Sequence, residues 1–76
     1  MEYLDAVVAV LREEGGDLHW TVIQDLALKR GYLDPFVQKD IRRNLLSALA
    51  AAERDGLVVK KEKGVFGLAS GGTGGR

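Results

Sequence analysis

Six cations fall into two short runs of this chain: Lys39, Arg42 and Arg43 within "QKDIRRNLLS", and Lys60, Lys61 and Lys63 within "VVKKEKG". Guanidinium and ammonium groups at this density suit the neutralisation of phosphate oxygens. Gln38, Asn44 and Ser47 lie among the first run and carry the amides and hydroxyl that could address base edges. Each run also has a plainer reading. Exposed helices carry charge as a solvated face, with Asp40 and Glu53 diluting this one, and lysines on a hairpin guard against edge-to-edge aggregation without any ligand.

Little else in the sequence supports chemistry. His19 is the sole histidine and has no partner at metal-ligand spacing, and there is no cysteine to supply a thiolate, a disulfide or a nucleophile. No G-x-S-x-G occurs, and no Ser or Asp stands at a diagnostic spacing from His19. The glycines of "GGTGGR" have no helical pattern after them, as a phosphate loop requires. The expectation is a non-enzyme with no cofactor, no metal and no evident small-molecule ligand.

With 76 residues there is room for one domain near the lower size limit for an unstapled core. The formal net charge is zero, which argues against an indiscriminate DNA coat. Its distribution is uneven. Residues 1–28 hold one basic residue, Arg12, against six acidic ones, while residues 29–76 hold ten basic against five acidic. A polarised surface follows. The opening "MEYLDAVVAVLREEGG" begins acidic and breaks its apolar residues with charges, so neither a secretory signal nor a membrane span is expected. A soluble, cytoplasmic location is the default.

The elements that position the cations can be read from periodicity. Leu4, Val7, Val8 and Leu11 give a first amphipathic helix, stopped by Gly15-Gly16. "DLHW" suits a very short strand. Thr21 with Gln24 three residues on has capping-box spacing and predicts the start of a second helix, with Asp25 in its first turn and Gly31 after Lys29-Arg30 as its stop. Val22, Ile23, Leu26 and Ala27 would be its buried side. Trp20 is expected in the core, and Tyr3, Tyr32 and Phe36 as packing residues at element ends.

Asp34 as cap and Pro35 at the first helical position predict a third helix running to Asp55, its buried stripe being Val37, Ile41, Leu45, Leu49 and Ala52. At about 1.5 Å per residue it would span roughly 30 Å, long enough that its first turns could be a separate segment. Two strands close the pattern, Leu57–Lys61 and Val65–Ala69, with Gly64 in the turn and Leu57, Val59, Phe66 and Leu68 sharing an inward face.

Helix, short strand, helix, helix, strand, strand is the order of a winged helix, an α+β fold in which a three-helix core carries a C-terminal β-hairpin wing. "TVIQDLALKRGYL" and "DIRRNLLSALAAAERDGLVVKKEKGVFGLA" resemble that superfamily, and are most similar to the HARE-HTH module and the linker-histone globular domain. The resemblance spans roughly residues 3–69 and rests on core and turn positions. Such domains occur in DNA-binding regulators, chromatin proteins, restriction systems and a bacterial RNA polymerase subunit. It implies a winged-helix domain over residues 1–69; "SGGTGGR" at 70–76 has no core-forming residue and reads by its composition as a flexible Gly-rich tail or a linker. The resemblance further implies a transcription-related or otherwise DNA-acting role, with double-stranded DNA met by Lys39, Arg42, Arg43 and the wing lysines Lys60, Lys61 and Lys63; Gln38 and Ser47, at the margins of the same helix face, join them by residue type. The neutral charge and acidic first helix depart from the strongly basic linker-histone pattern. An alternative therefore stands beside the first: a protein-interaction module without nucleic-acid contact. It would use Glu2, Asp5, Glu13 and Glu14 against a basic partner, or Tyr3 and Val10 in a homodimer.

Overall fold

A computed structural model describes residues 1–69; the Gly-rich segment 70–76, expected as a tail, lies outside the described residues. The fold is α+β. Its elements follow the expected order: α1 (Tyr3–Glu14), β1 (Leu18–His19), α2 (Trp20–Lys29), α3 (Ile41–Arg54), β2 (Val58–Glu62) and β3 (Val65–Leu68). The strands form one antiparallel sheet in the order β1-β3-β2.

Helix α1 buries Ala6, Val7, Val10 and Leu11. That face is rotated from the expected stripe, because Leu4 is exposed and Val8 only half-buried. Apolar residues run almost unbroken from Ala6 to Leu11, so periodicity alone does not select a face. Contact with α2, α3 and β3 does, and small Ala6 can sit against close neighbours. Val10 is therefore core and unavailable to a homodimer, and Tyr3 is half-buried against the same cluster.

The start of α2 differs from the capping-box expectation. His19 is the N-cap: its Nδ1 accepts the Thr21 N–H at 3.3 Å, and Thr21 is already helical. The sheet explains the shift. Leu18 and His19 pair with Phe66 and Val65, and the Trp20 N–H donates to the Gly64 carbonyl at 2.8 Å. The chain is thus held extended through His19 and the helix begins at once. Gln24 is left without its capping role, its Oε1 buried and unpaired, and Asp25 falls beyond the first turn. Ile23 and Ala27 are buried, Leu26 is half-buried and Val22 is exposed. Both α2 and α3 end in a double closure. The Gly31 and Tyr32 N–H groups return to Leu28 and Ala27, and those of Gly56 and Leu57 to Glu53 and Ala52.

The third helix is shorter than expected. Asp34 does cap, accepting the Phe36 N–H at 2.9 Å, but only one turn follows, with Val37 and Gln38 N–H groups on the Asp34 carbonyl. Asp40 then adopts left-handed φ 51°, which breaks any continuous helix, and α3 proper starts at Ile41. Two expectations fail for this reason. Phe36 is 95% exposed and Val37 74% exposed, because both lie on the separate turn and not on the stripe of Leu45, Leu49 and Ala52. Leu33, buried, anchors the connector instead.

The hairpin is present, with its β2 phase reversed. Val58 is buried and pairs with Leu68, whereas Leu57 is 45% and Val59 41% exposed. The closure of α3 through the Leu57 N–H sets this phase, making Val58 the first inward residue. Phe66 is buried and Leu68 half-buried, as expected. A register shift between Lys60 and Glu62 leaves Lys61 as an extra residue, and Gly64 turns the chain at φ 78°. A Cβ on Gly64 would stand 2.7 Å from His19 Nε2. Gly64→Ala therefore combines left-handed strain with displacement of the α2 cap. The expected cost is about 2 kcal/mol. Urea unfolding should show it as a midpoint lowered by about 2 M for an m near 1 kcal/mol/M.

Candidate functional site

Trp20 joins three elements. It is the first residue of α2, its backbone N–H is bonded to Gly64 in the hairpin turn, and the Arg42 guanidinium carbon lies 5.6 Å from its ring centroid. The His19 ring flanks it at 5.8 Å. A guanidinium over an indole face is attracted by the ring quadrupole, which orients Arg42. The half-buried indole thus sits between the first turn of α3 and the turn of the hairpin. No local spacing signals this contact, because Trp20 and Arg42 are remote in sequence.

Around this junction most of the expected cations are exposed. Arg43 follows Arg42 and, with Asp40, Ile41 and Leu46, lines an open groove of about 530 Å³. Ser47 is exposed one turn further along α3. Lys39 is exposed, while its carbonyl accepts the Tyr3 hydroxyl at 3.3 Å and the Asn44 amide at 2.9 Å. In the hairpin, Lys60 shares the helix-facing side of the sheet with Val58 and Phe66, Lys61 occupies the bulge, and Lys63 adjoins Gly64. All three side chains are exposed. Ile41 and Leu46, half-buried beside the arginines, give the groove an apolar floor that charge patterning alone did not reveal.

Gln38 is placed differently. Its Oε1 accepts the Asp34 N–H at 2.8 Å and its Nε2 donates to the Met1 carbonyl at 3.2 Å. The amide is committed to holding the connector against the N-terminus. Asn44 likewise spends its amide locally on Lys39, leaving Ser47 as the member of the polar set with no side-chain bond of this kind among the described residues.

The acidic end of α1 is also committed. Arg30 Nη1 donates to Glu13 at 2.7 Å and Nη2 to Glu14 at 2.6 Å, and the Tyr32 hydroxyl donates to Glu13. These pairs are solvent-exposed and contribute little to stability. They do occupy Glu13 and Glu14, two of the four carboxylates that a basic partner was expected to meet. The hydrogen bond to Glu14 is the main cause holding the Arg30 guanidinium protonated above its ordinary range. The bond to Glu13 raises the Tyr32 phenol, aided by burial and by the adjacent negative charge. A raised phenol pKa favours the protonated fold. The contribution is present below the ordinary tyrosine pKa and is lost as pH rises through the folded value. In an ultraviolet titration, Tyr32→Phe should remove the phenolate component that ionises above the ordinary tyrosine range, and Glu13→Gln should move that component back toward it.

Among the described residues no three His, Cys, Asp or Glu side chains gather as a metal site, and no helix is long and apolar enough to cross a membrane. Comparison of the chain with protein families, with curated proteins and with solved structures returned no match.

Proposed function

We propose that this domain is a DNA-binding module of winged-helix type, acting in the cytoplasm in transcription or within a larger DNA-acting protein. The observation that carries the reading is the Trp20 junction, which ties Arg42 in the first turn of α3 to the hairpin turn beside Lys63. Two basic runs far apart in sequence are thereby linked through one residue, Trp20, whose ring meets Arg42 and whose backbone N–H meets the hairpin turn. In the proposed mechanism the first turns of α3 enter the major groove. Arg42 and Arg43 contact phosphates there, Ser47 reaches a base edge, and Lys60, Lys61 and Lys63 neutralise the neighbouring backbone. Ile41 and Leu46, on the floor of the groove beside Arg43, suit apolar contact with thymine methyls.

The connector of residues 30–40 is longer than the turn of about 3–4 residues that joins a compact helix-turn-helix. It places Lys39 just ahead of α3, and Gln38 fixes the connector in place of reading a base. The test is fluorescence anisotropy with a labelled random duplex at low salt. Binding that weakens when Arg42 and Arg43 are both replaced by alanine supports the reading. A wild-type protein that stays unbound at submillimolar concentration overturns it. The protein-interaction alternative is less favoured, because Val10 is buried and Glu13 and Glu14 are engaged within the fold.

A further inference from the structure

Phe36 is the most exposed large apolar side chain among the described residues, at 95%, and its neighbour Val37 follows at 74%. Single exposed apolar residues are ordinary on protein surfaces. An adjacent aromatic and aliphatic pair on a turn held this firmly is less so. The Asp34 carboxylate accepts the Phe36 N–H, the Asp34 carbonyl accepts from Val37 and Gln38, and the Gln38 side chain binds the Asp34 N–H and the Met1 carbonyl. Pro35 fixes φ immediately before the ring. The backbone that carries the exposed ring is thus held by a built turn.

The residues around that turn indicate what would meet it. Lys39, Arg42 and Arg43 follow within the next seven positions of the chain and are all exposed, so the segment that carries Phe36 also carries three cations. Of the two carboxylates in the segment, Asp34 is turned onto the Phe36 N–H, and Asp40 heads α3 beside Arg42 and Arg43. A partner that satisfies both a flat apolar ring and a cationic margin must present flat apolar faces next to anions. Nucleic acid does so at every nucleotide, base beside phosphate. We propose that Phe36, backed by Val37, is a stacking wedge for an unpaired or easily unstacked base in DNA gripped by α3. The preferred substrate is then a duplex carrying such a base in place of a uniformly paired one. This inference rests on the DNA-binding reading above and adds the substrate class.

Stacking of one base on an aromatic side chain corresponds to a preference of roughly 5- to 150-fold. The test compares a fully paired duplex with the same duplex carrying a single bulged 2-aminopurine, bound by wild type, Phe36→Ala and Phe36→Trp. Circular dichroism should be identical for all three proteins, since residue 36 lies outside the core. Wild type should prefer the bulged duplex and quench the probe on binding. Phe36→Ala should lose both effects while keeping its paired-duplex affinity and salt dependence, and Phe36→Trp should retain them. Equal affinity of wild type for the two duplexes, unchanged in Phe36→Ala, overturns the wedge and leaves DNA binding intact. Failure of wild type to bind either duplex overturns both readings. Sedimentation showing a dimer that Phe36→Ala converts to a monomer, with no change in duplex preference, assigns the ring to a second copy of this chain and also overturns the wedge.

Discussion

Binding of a short random duplex is expected to weaken about 150-fold between about 50 and 200 mM salt. The figure follows from about four phosphates neutralised by the six cations of the two runs, at a slope of about −0.9 in log K per phosphate. The slope should therefore lie near −3.6. Replacing Arg42 and Arg43 by alanine removes two of those contacts, and the slope should fall to about −1.8, or about 12-fold over the same range. Neither side chain carries the core: both are exposed, and Arg42 touches only the Trp20 face among aromatic neighbours. The double variant should thus stay folded, losing at most about 1 kcal/mol with the exposed cation–π contact. A wild-type slope near zero would show that no counterions are released, and a double variant with an unchanged slope would move the contact away from α3.

Leu49→Ala should cost about 3 kcal/mol, within the 2–5 kcal/mol typical of a buried leucine truncated in a well-packed core. Leu49 is wholly buried between Leu45 and Ala52 on the face of α3 that packs against α1, α2 and β2. A domain of this size holds a total stability of only about 4–11 kcal/mol, so the loss is a large share of it. At roughly 4–8 °C per kcal/mol the melting temperature should fall by about 12–24 °C. Leu46→Ala is the control. Leu46 is half-buried beside the open groove, and its truncation should cost clearly less. Equal losses at the two positions would mean that the groove side of α3 is packed as tightly as its core side.

How far the fold could be read from the chain varied with the kind of signal. Helix ends written by glycine were legible, because left-handed closures at Gly31 and Gly56 have few alternatives. The element order was legible for the same reason. The starts were less so. Thr21 and Gln24 have the spacing of a capping box, yet pairing of Leu18 and His19 with β3 holds the chain extended through His19 and moves the cap there. Pro35 opens only a hydrogen-bonded turn and not the expected helix, because left-handed Asp40 separates that turn from α3. The β2 phase is not legible, because Leu57, Val58 and Val59 are all apolar and strand alternation gives no preference among them. Closure of α3 on Leu57 decides it.

The candidate site divides in the same way. The cations themselves are visible in the sequence, since charge clustering needs no tertiary information. That Arg42 meets Trp20, and that Trp20 meets the hairpin turn, depends on contacts between distant segments. The commitment of Gln38 to the connector, and of Glu13 and Glu14 to Arg30 and Tyr32, likewise depends on partners remote in sequence.

The most direct measurement is an amide NMR titration of the isotopically labelled protein with a short random duplex at low salt, repeated at higher salt. DNA binding through α3 and the hairpin predicts shifts clustered at residues 39–47 and 60–64, and at the Trp20 indole between them in space, that fade as salt rises. Resonances that stay in place at those positions while the protein remains folded, or that move instead along the exposed side of α1 at Glu2 and Asp5, would contradict it.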